Sequence, residues 1–181
     1  MASELRVDKI IPTSGVPTGG GGGVIQVVQK LFTTTFTSSV YAYTDVTGFS
    51  VDITPKFSTS KILCFGHLSG DGRPSITRAL YRIVRTVSGG SGVPLGEGND
   101  NIGNRAPCLG TIYDADDDNS PRNFGYSVLD SPATTNSINY KFQISNGNNS
   151  SSVYVNRSYS WSNTYAHGAP ASSLTLMEIS A

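Results

Sequence analysis

The run Ile138-Asn139-Tyr140-Lys141-Phe142-Gln143-Ile144-Ser145 constrains the fold more than any other stretch. Large apolar side chains alternate with polar ones. That period of two puts Ile138, Tyr140, Phe142 and Ile144 on one face of an extended strand and turns the rest to water. Such a strand needs neighbours along its edges and a second layer over its apolar face. The pattern recurs. Phe49, Val51 and Ile53 alternate with Ser50, Asp52 and Thr54, and Pro55 ends that run. Residues 24–32, 124–128, 153–156 and 174–179 are further strand candidates.

Two segments alternate without a polar face. In residues 61–69, Ile62, Cys64 and Leu68 lie on one side, and Leu63, Phe65 and His67 on the other. In residues 78–87, Ala79, Tyr81 and Ile83 oppose Leu80, Val84 and Arg82. Strands apolar on both sides suit a sandwich that is also covered outside, as at a subunit interface. Residues 33–47 suit an edge strand or loop. Residues 88–123 read mostly as loop, interrupted by short strands near 93–95 and 109–113. With about nine strands and no helical period, the chain is predicted to be an all-β, jelly-roll-like β-sandwich.

Charge excludes several classes of function. Charged residues make up 14% of the chain, and 13 Lys+Arg balance 13 Asp+Glu. A nucleic-acid binder needs a basic surplus for phosphate contacts, so none is expected here. No apolar run approaches the ~20 residues of a membrane-spanning helix. Residues 1–10 hold no apolar stretch of a secretory signal, so synthesis in a cytoplasm is expected, without membrane insertion. Cys64 falls in a strand pattern and is expected to pack as a small hydrophobe, not to pair with Cys108.

Five consecutive glycines, Gly19 to Gly23, divide the chain. They impose no packing and leave the backbone free, which makes 19–23 a linker between an N-terminal peptide, 1–18, and a sandwich, 24–181. In the peptide, Leu5, Val7, Ile10 and Ile11 are the apolar docking candidates, while Pro12 and Pro17 oppose a helix. A segment this short cannot bury enough surface to order itself. Its expected partner is another subunit or another protein, reached by adding a strand to an exposed edge, the alternative being a frayed tail.

No catalytic or cofactor signature is present. His67 and His167 do not stand at metal spacing, and no phosphate loop or nucleophile elbow occurs. The Asp114, Asp116, Asp117 and Asp118 run could be proposed as paired acids for glycoside hydrolysis, or as oxygen ligands for calcium through Asp114, Asp116 and Asp118. Clustered like charges read first as a solvated loop. No metal and no cofactor is expected, and the chain is expected not to be an enzyme. Glu178 shares a face with Leu174 and Leu176 and needs a partner. Arg82 is the candidate, giving a structural pair within the domain or across a subunit interface. Tyr154, Tyr159, Trp161 and Tyr165 are interleaved with Ser and Asn. Aromatic anchors among small polar residues make them receptor-contact candidates.

The opening Ser3-Glu4-Leu5-Arg6-Val7-Asp8-Lys9-Ile10 with Thr13-Ser14-Gly15 resembles the start of many tail-fibre and minor virion structural proteins of tailed phages, of the marine and cyanobacterial type. The closing 171–179 segment is similar to their last strand. Thr54-Pro55-Lys56-Phe57-Ser58-Thr59-Ser60-Lys61, Leu80-Tyr81-Arg82 and Asp130-Ser131-Pro132 resemble internal blocks. The resemblance implies a jelly roll like those of tumour necrosis factor and complement C1q, usually a homotrimer. It implies a virion protein assembled in the host cytoplasm, docked on other virion proteins through residues 1–18. A host-surface polysaccharide or protein would be the receptor for attachment. The chain departs from long fibres in having no shaft, only the glycines. That admits an alternative, a capsid or tail decoration protein that stabilises the particle.

Overall fold

In the computed structural model, residues 23–72, 78–98, 106–112, 120–147, 151–164 and 167–180 are described. They form eleven strands: β1 (Val24–Phe32), β2 (Phe36–Ser38), β3 (Thr44–Ile53), β4 (Lys61–Gly72), β5 (Ala79–Val87), β6 (Val93–Leu95), β7 (Gly110–Ile112), β8 (Arg122–Asp130), β9 (Ile138–Asn146), β10 (Val153–Val155) and β11 (Ser172–Ile179). All pairings are antiparallel. The first sheet runs β1-β11-β4, with β8 on the far edge of β4 and β10-β2 continuing beside its last residues. The second runs β3-β9-β5, with β6 and β7 sharing the outer edge of β5. This is a two-sheet jelly roll whose chain crosses repeatedly between layers. About nine strands were expected and eleven form, with the short strands near 93–95 and 109–113 present as β6 and β7 and a three-residue β2 within the 33–47 stretch.

The 138–145 alternation behaves as predicted. Ile138, Tyr140, Phe142 and Ile144 are buried, while Lys141 and Gln143 face outward from the second sheet. Phe142 sits in an aromatic column. Its ring stacks on Phe49 at 4.7 Å between centroids, Phe49 stacks on Phe32 at 4.9 Å, and Tyr126 meets Phe142 edge-on at 5.1 Å. These four rings come from both sheets and hold them together across the core. β3 starts earlier than expected, at Thr44. Its register to β9 shifts between Asp45 and Ser50, and Gly48, at φ 83°, lets the bulged backbone bring both Val46 and Phe49 inward.

The two outer faces differ. On the second sheet, Asp45, Arg82, Lys141 and Gln143 form a polar ladder. Gln143 bridges Asp45 at 2.7 Å and Arg82 at 2.8 Å, and Lys141 reaches Asp45 at 2.6 Å. Burial works against the Asp45 anion, but hydrogen bonds from Lys141 and Gln143 win and hold its carboxyl below the usual value. Val84 on this face needs no second subunit, because β6 pairs beside it and the chain at Gly92 closes over it. The first sheet carries instead a row Val27–Met177–Leu63–Leu129 across four strands, with Val27 and Leu129 both more than half exposed.

Gly66 marks the closest backbone approach. A Cβ there would stand 2.2 Å from the Ser173 carbonyl oxygen and 2.7 Å from the Tyr126 hydroxyl, which itself donates to that carbonyl. The Ser173 carbonyl cannot retreat without disturbing the β4–β11 ladder, and displacing the Tyr126 hydroxyl would break its hydrogen bond to that carbonyl. Gly66→Ala is therefore expected to lower stability by about 1–3 kcal/mol or more, read by chemical denaturation.

Candidate binding face

The loop joining β10 to β11 carries most of the receptor-contact candidates, and it is held by a set of buried polar side chains. Asn156 has φ 57°, in the left-handed region where Asn is among the few tolerated residues. Its Nδ2 donates to the carbonyls of Phe32 at 2.7 Å and Thr34 at 3.0 Å. Its Oδ1 accepts from the Ser172 hydroxyl at 2.6 Å, and that hydroxyl accepts from the Ser69 amide at 2.9 Å. The Asn156 amide returns to the Ser69 carbonyl at 2.9 Å. One side chain thus ties both ends of the loop to β4 and to the end of β1. Further along, the Tyr159 amide donates to Oδ2 of Asp71 at 2.8 Å. Asp71 is fully buried, and its other oxygen accepts from the Gly72 amide at 2.7 Å.

On this base Tyr154, Tyr159 and Trp161 are brought together around Arg157. The guanidinium carbon lies 4.7 Å from the Tyr154 ring centre and 5.7 Å from that of Trp161. Tyr159 meets Tyr154 edge-on at 6.0 Å. Arg157 Nε donates to the Ser158 carbonyl at 3.1 Å and Nη2 to the Tyr159 carbonyl at 3.4 Å. The Ser158 hydroxyl caps the Ser160 carbonyl at 2.6 Å. Trp161 remains 40% exposed, so its indole is available to a ligand. His167 Nδ1 accepts from the Ser162 amide at 2.9 Å and closes the far side of the loop. The aromatic pattern pointed to this face, but Arg157 did not stand out from the sequence. A single cation between aromatic residues was the available signal.

The other sequence candidates fall elsewhere. Leu5, Val7, Ile10 and Ile11, the aspartates Asp114, Asp116 and Asp118, and Tyr165 lie outside the described residues. Among described residues no cluster of three His, Cys, Asp or Glu could hold a metal. Within the chain, Arg82 and Glu178 do not pair with each other. Arg82 bonds Glu97 at 3.1 Å and Gln143 at 2.8 Å, and its guanidinium lies 3.9 Å from the Tyr43 ring centre. Glu178 is fully buried, as its apolar neighbours implied. Its carboxylate accepts from the Lys56 amide at 2.7 Å and from the side-chain amide of Gln26. The reason is the layer each occupies: Gln26 stands directly opposite Glu178 on β1, while Arg82 belongs to the outer face of the other sheet.

Sequence reasoning also missed Asp130. Its Oδ1 accepts from Arg85 at 2.8 Å and the Ser131 amide at 2.9 Å, and its Oδ2 from the Tyr140 hydroxyl at 2.7 Å. Burial first, and then this hydrogen bond and the nearby charge, push the Tyr140 hydroxyl well above its usual range. Cys64 and Cys108 are free thiols, both with raised pKa through burial.

The two ends of the sandwich are distinct. Gly23, the last of the five glycines, exchanges hydrogen bonds with Ser180, just after β11. The aromatic loop packs where β11 begins, at Ser172. The eight residues of β11 separate them, about 25 Å at strand rise.

No protein-family model matches the chain, and no curated protein does. Solved structures are similar over nearly all of it. A structure of the infectious bursal disease virus Gx strain matches at 12% identity, covering 97% of this chain and 45% of that one, with a TM-score of 0.42. A VP2 subviral particle of infectious bursal disease virus matches at 13% identity over 98% of this chain and 42% of that one, again with a TM-score of 0.42. The chain spans less than half the length of these structures, and no residue role passes from them to it.

Replacing Asn156 by Ala removes the acceptor and both side-chain donors while leaving a strained backbone. The expected loss is about 2–4 kcal/mol in chemical denaturation, with Asn156→Gly losing less because its backbone is unstrained.

Proposed function

We propose that this chain is a non-enzymatic structural protein of a tailed-phage virion, a short tail-fibre or adhesin subunit. Residues 1–18 dock on other virion proteins, Gly19 to Gly23 give slack, and the jelly roll presents its aromatic loop to the host surface. The observation that carries this reading is the polarity of the sandwich. The linker joins at the end where β11 finishes, and Tyr154, Tyr159 and Trp161 gather at the end where it starts. A molecule fixed at one end and displaying an aromatic surface at the other is arranged for attachment. The resemblance of the opening and closing segments to phage structural proteins supports the same assignment. The second reading, decoration of a capsid or tail that stabilises the particle, is favoured by the absence of a shaft between linker and sandwich.

Phage carrying Trp161→Ala is expected to adsorb more slowly while retaining particle stability. Normal adsorption with loss of heat stability on deleting the protein would favour decoration instead.

The homotrimer belongs to this proposal. The row Val27–Met177–Leu63–Leu129 and the adjoining Gln29, Thr175, Phe65 and Ser127 carry no formal charge, in contrast to the ladder on the opposite sheet. Rows without formal charge lose less hydration than the charged ladder would on burial against another copy. Light scattering of the purified chain should give three times the monomer mass. Val27→Glu with Leu129→Glu should give monomers that keep their circular dichroism spectrum. A wild-type monomer at micromolar concentration would sink the trimer.

A further inference from the structure

We propose that the Tyr154–Arg157–Trp161 face binds an acidic glycan, with a sugar carboxylate on Arg157 and a pyranose ring on Trp161. The inference rests on the reading of this end as the host-contacting one, and it names the ligand class.

Three observations carry it. First, Arg157 is held in place before any ligand arrives. Two ring faces flank its guanidinium, and two backbone carbonyls of its own loop take Nε and one N–H of Nη2. Holding an arginine this way removes much of the side-chain entropy that binding would otherwise cost. Second, its Nη1 makes no hydrogen bond or ion pair among the described residues, and residues 156–171 contain neither Asp nor Glu. The nearby Asp71 is turned to the amides of Tyr159 and Gly72. The loop therefore presents a planar cation whose open edge matches a carboxylate in bidentate geometry. Third, the partly exposed Trp161 ring lies beside that cation. Its electron-rich face suits the C–H face of a sugar ring, which carries partial positive charge. A neutral glycan would use the indole and leave the guanidinium edge unmatched. A small inorganic anion would use the guanidinium and leave the indole bare. A uronic-acid sugar uses both.

Trp161 is the only tryptophan, so its fluorescence reports on this face directly. The full chain is titrated with trigalacturonate, maltotriose and inorganic sulfate. The expected result is a saturable fluorescence change with trigalacturonate, at least tenfold weaker with the other two. Arg157→Gln should weaken trigalacturonate binding by roughly tenfold or more, the scale of a lost charge-assisted hydrogen-bond pair. Arg157→Lys should recover only part, because a point charge cannot match the fork. A thermal melt of each variant separates loss of fold from loss of ligand. Equal binding of maltotriose, or of sulfate, overturns the acidic-glycan assignment. So does trigalacturonate binding that a folded Arg157→Gln variant retains in full. If no glycan binds but phage with Trp161→Ala still adsorbs poorly, the ligand class falls and the attachment reading stands. If adsorption by that phage is also unchanged, both fall.

Discussion

β4 is hydrogen-bonded along both edges, and the placement of the first sheet follows from that. β8 lies along one edge from Ile62 to Gly70. On the other edge β11 pairs with Lys61 to His67, and β10 takes over from Gly70 to Gly72. β1 reaches the sheet only through β11, and β2 only through β10. A strand so used has no edge to spare for solvent, and its inward side chains Ile62, Cys64 and Leu68 are almost fully buried. Many of these contacts join residues more than a hundred positions apart, such as Lys61 with Ile179. Chain closure over such distances comes before the contacts reward it, so the topology favours slow folding.

Around this apolar interior a few polar side chains act as fixed points. Asp130 links the first sheet to Arg85 and Tyr140 of the second. Glu178 anchors the turn at Lys56 to β1 and β11. Asn156 and Asp71 fix the aromatic loop. Each is fully or almost fully buried and meets donors or acceptors from a distant part of the chain. A buried polar group left unmatched costs more than a matched one contributes, so these residues specify the arrangement at least as much as they stabilise it.

The β-sandwich was legible because alternation reports directly on which side of a strand is buried. Ile138 to Ile144 and Phe49 to Ile53 behave as their pattern required. What was not legible depends on pairing across the chain. The partner of Glu178 is a backbone amide and a cross-strand glutamine, which no spacing rule connects to it. The bulge at Gly48 shifts the phase of β3, so Thr44 to Thr47 gave no clear period. Val84 looked like a surface for a second subunit, yet the hairpin to β6 covers it. At the aromatic loop the ring residues were visible in the sequence, whereas Arg157 gained its meaning only from the folding of the loop back over Asp71.

The meeting of Gly23 with Ser180 has a mechanical consequence. Suppose the molecule is held at its linker and pulled from the opposite end. The load then enters β1 at Val24 and runs along the strand, parallel to its axis. Its hydrogen bonds to β11 stand across that direction, so all eight registered pairs resist together in shear. Were the linker attached at Phe32 instead, the same pull would peel the ladder open one pair at a time. The chain direction of the first strand thus sets a load applied at Gly23 in shear against the whole β1–β11 ladder.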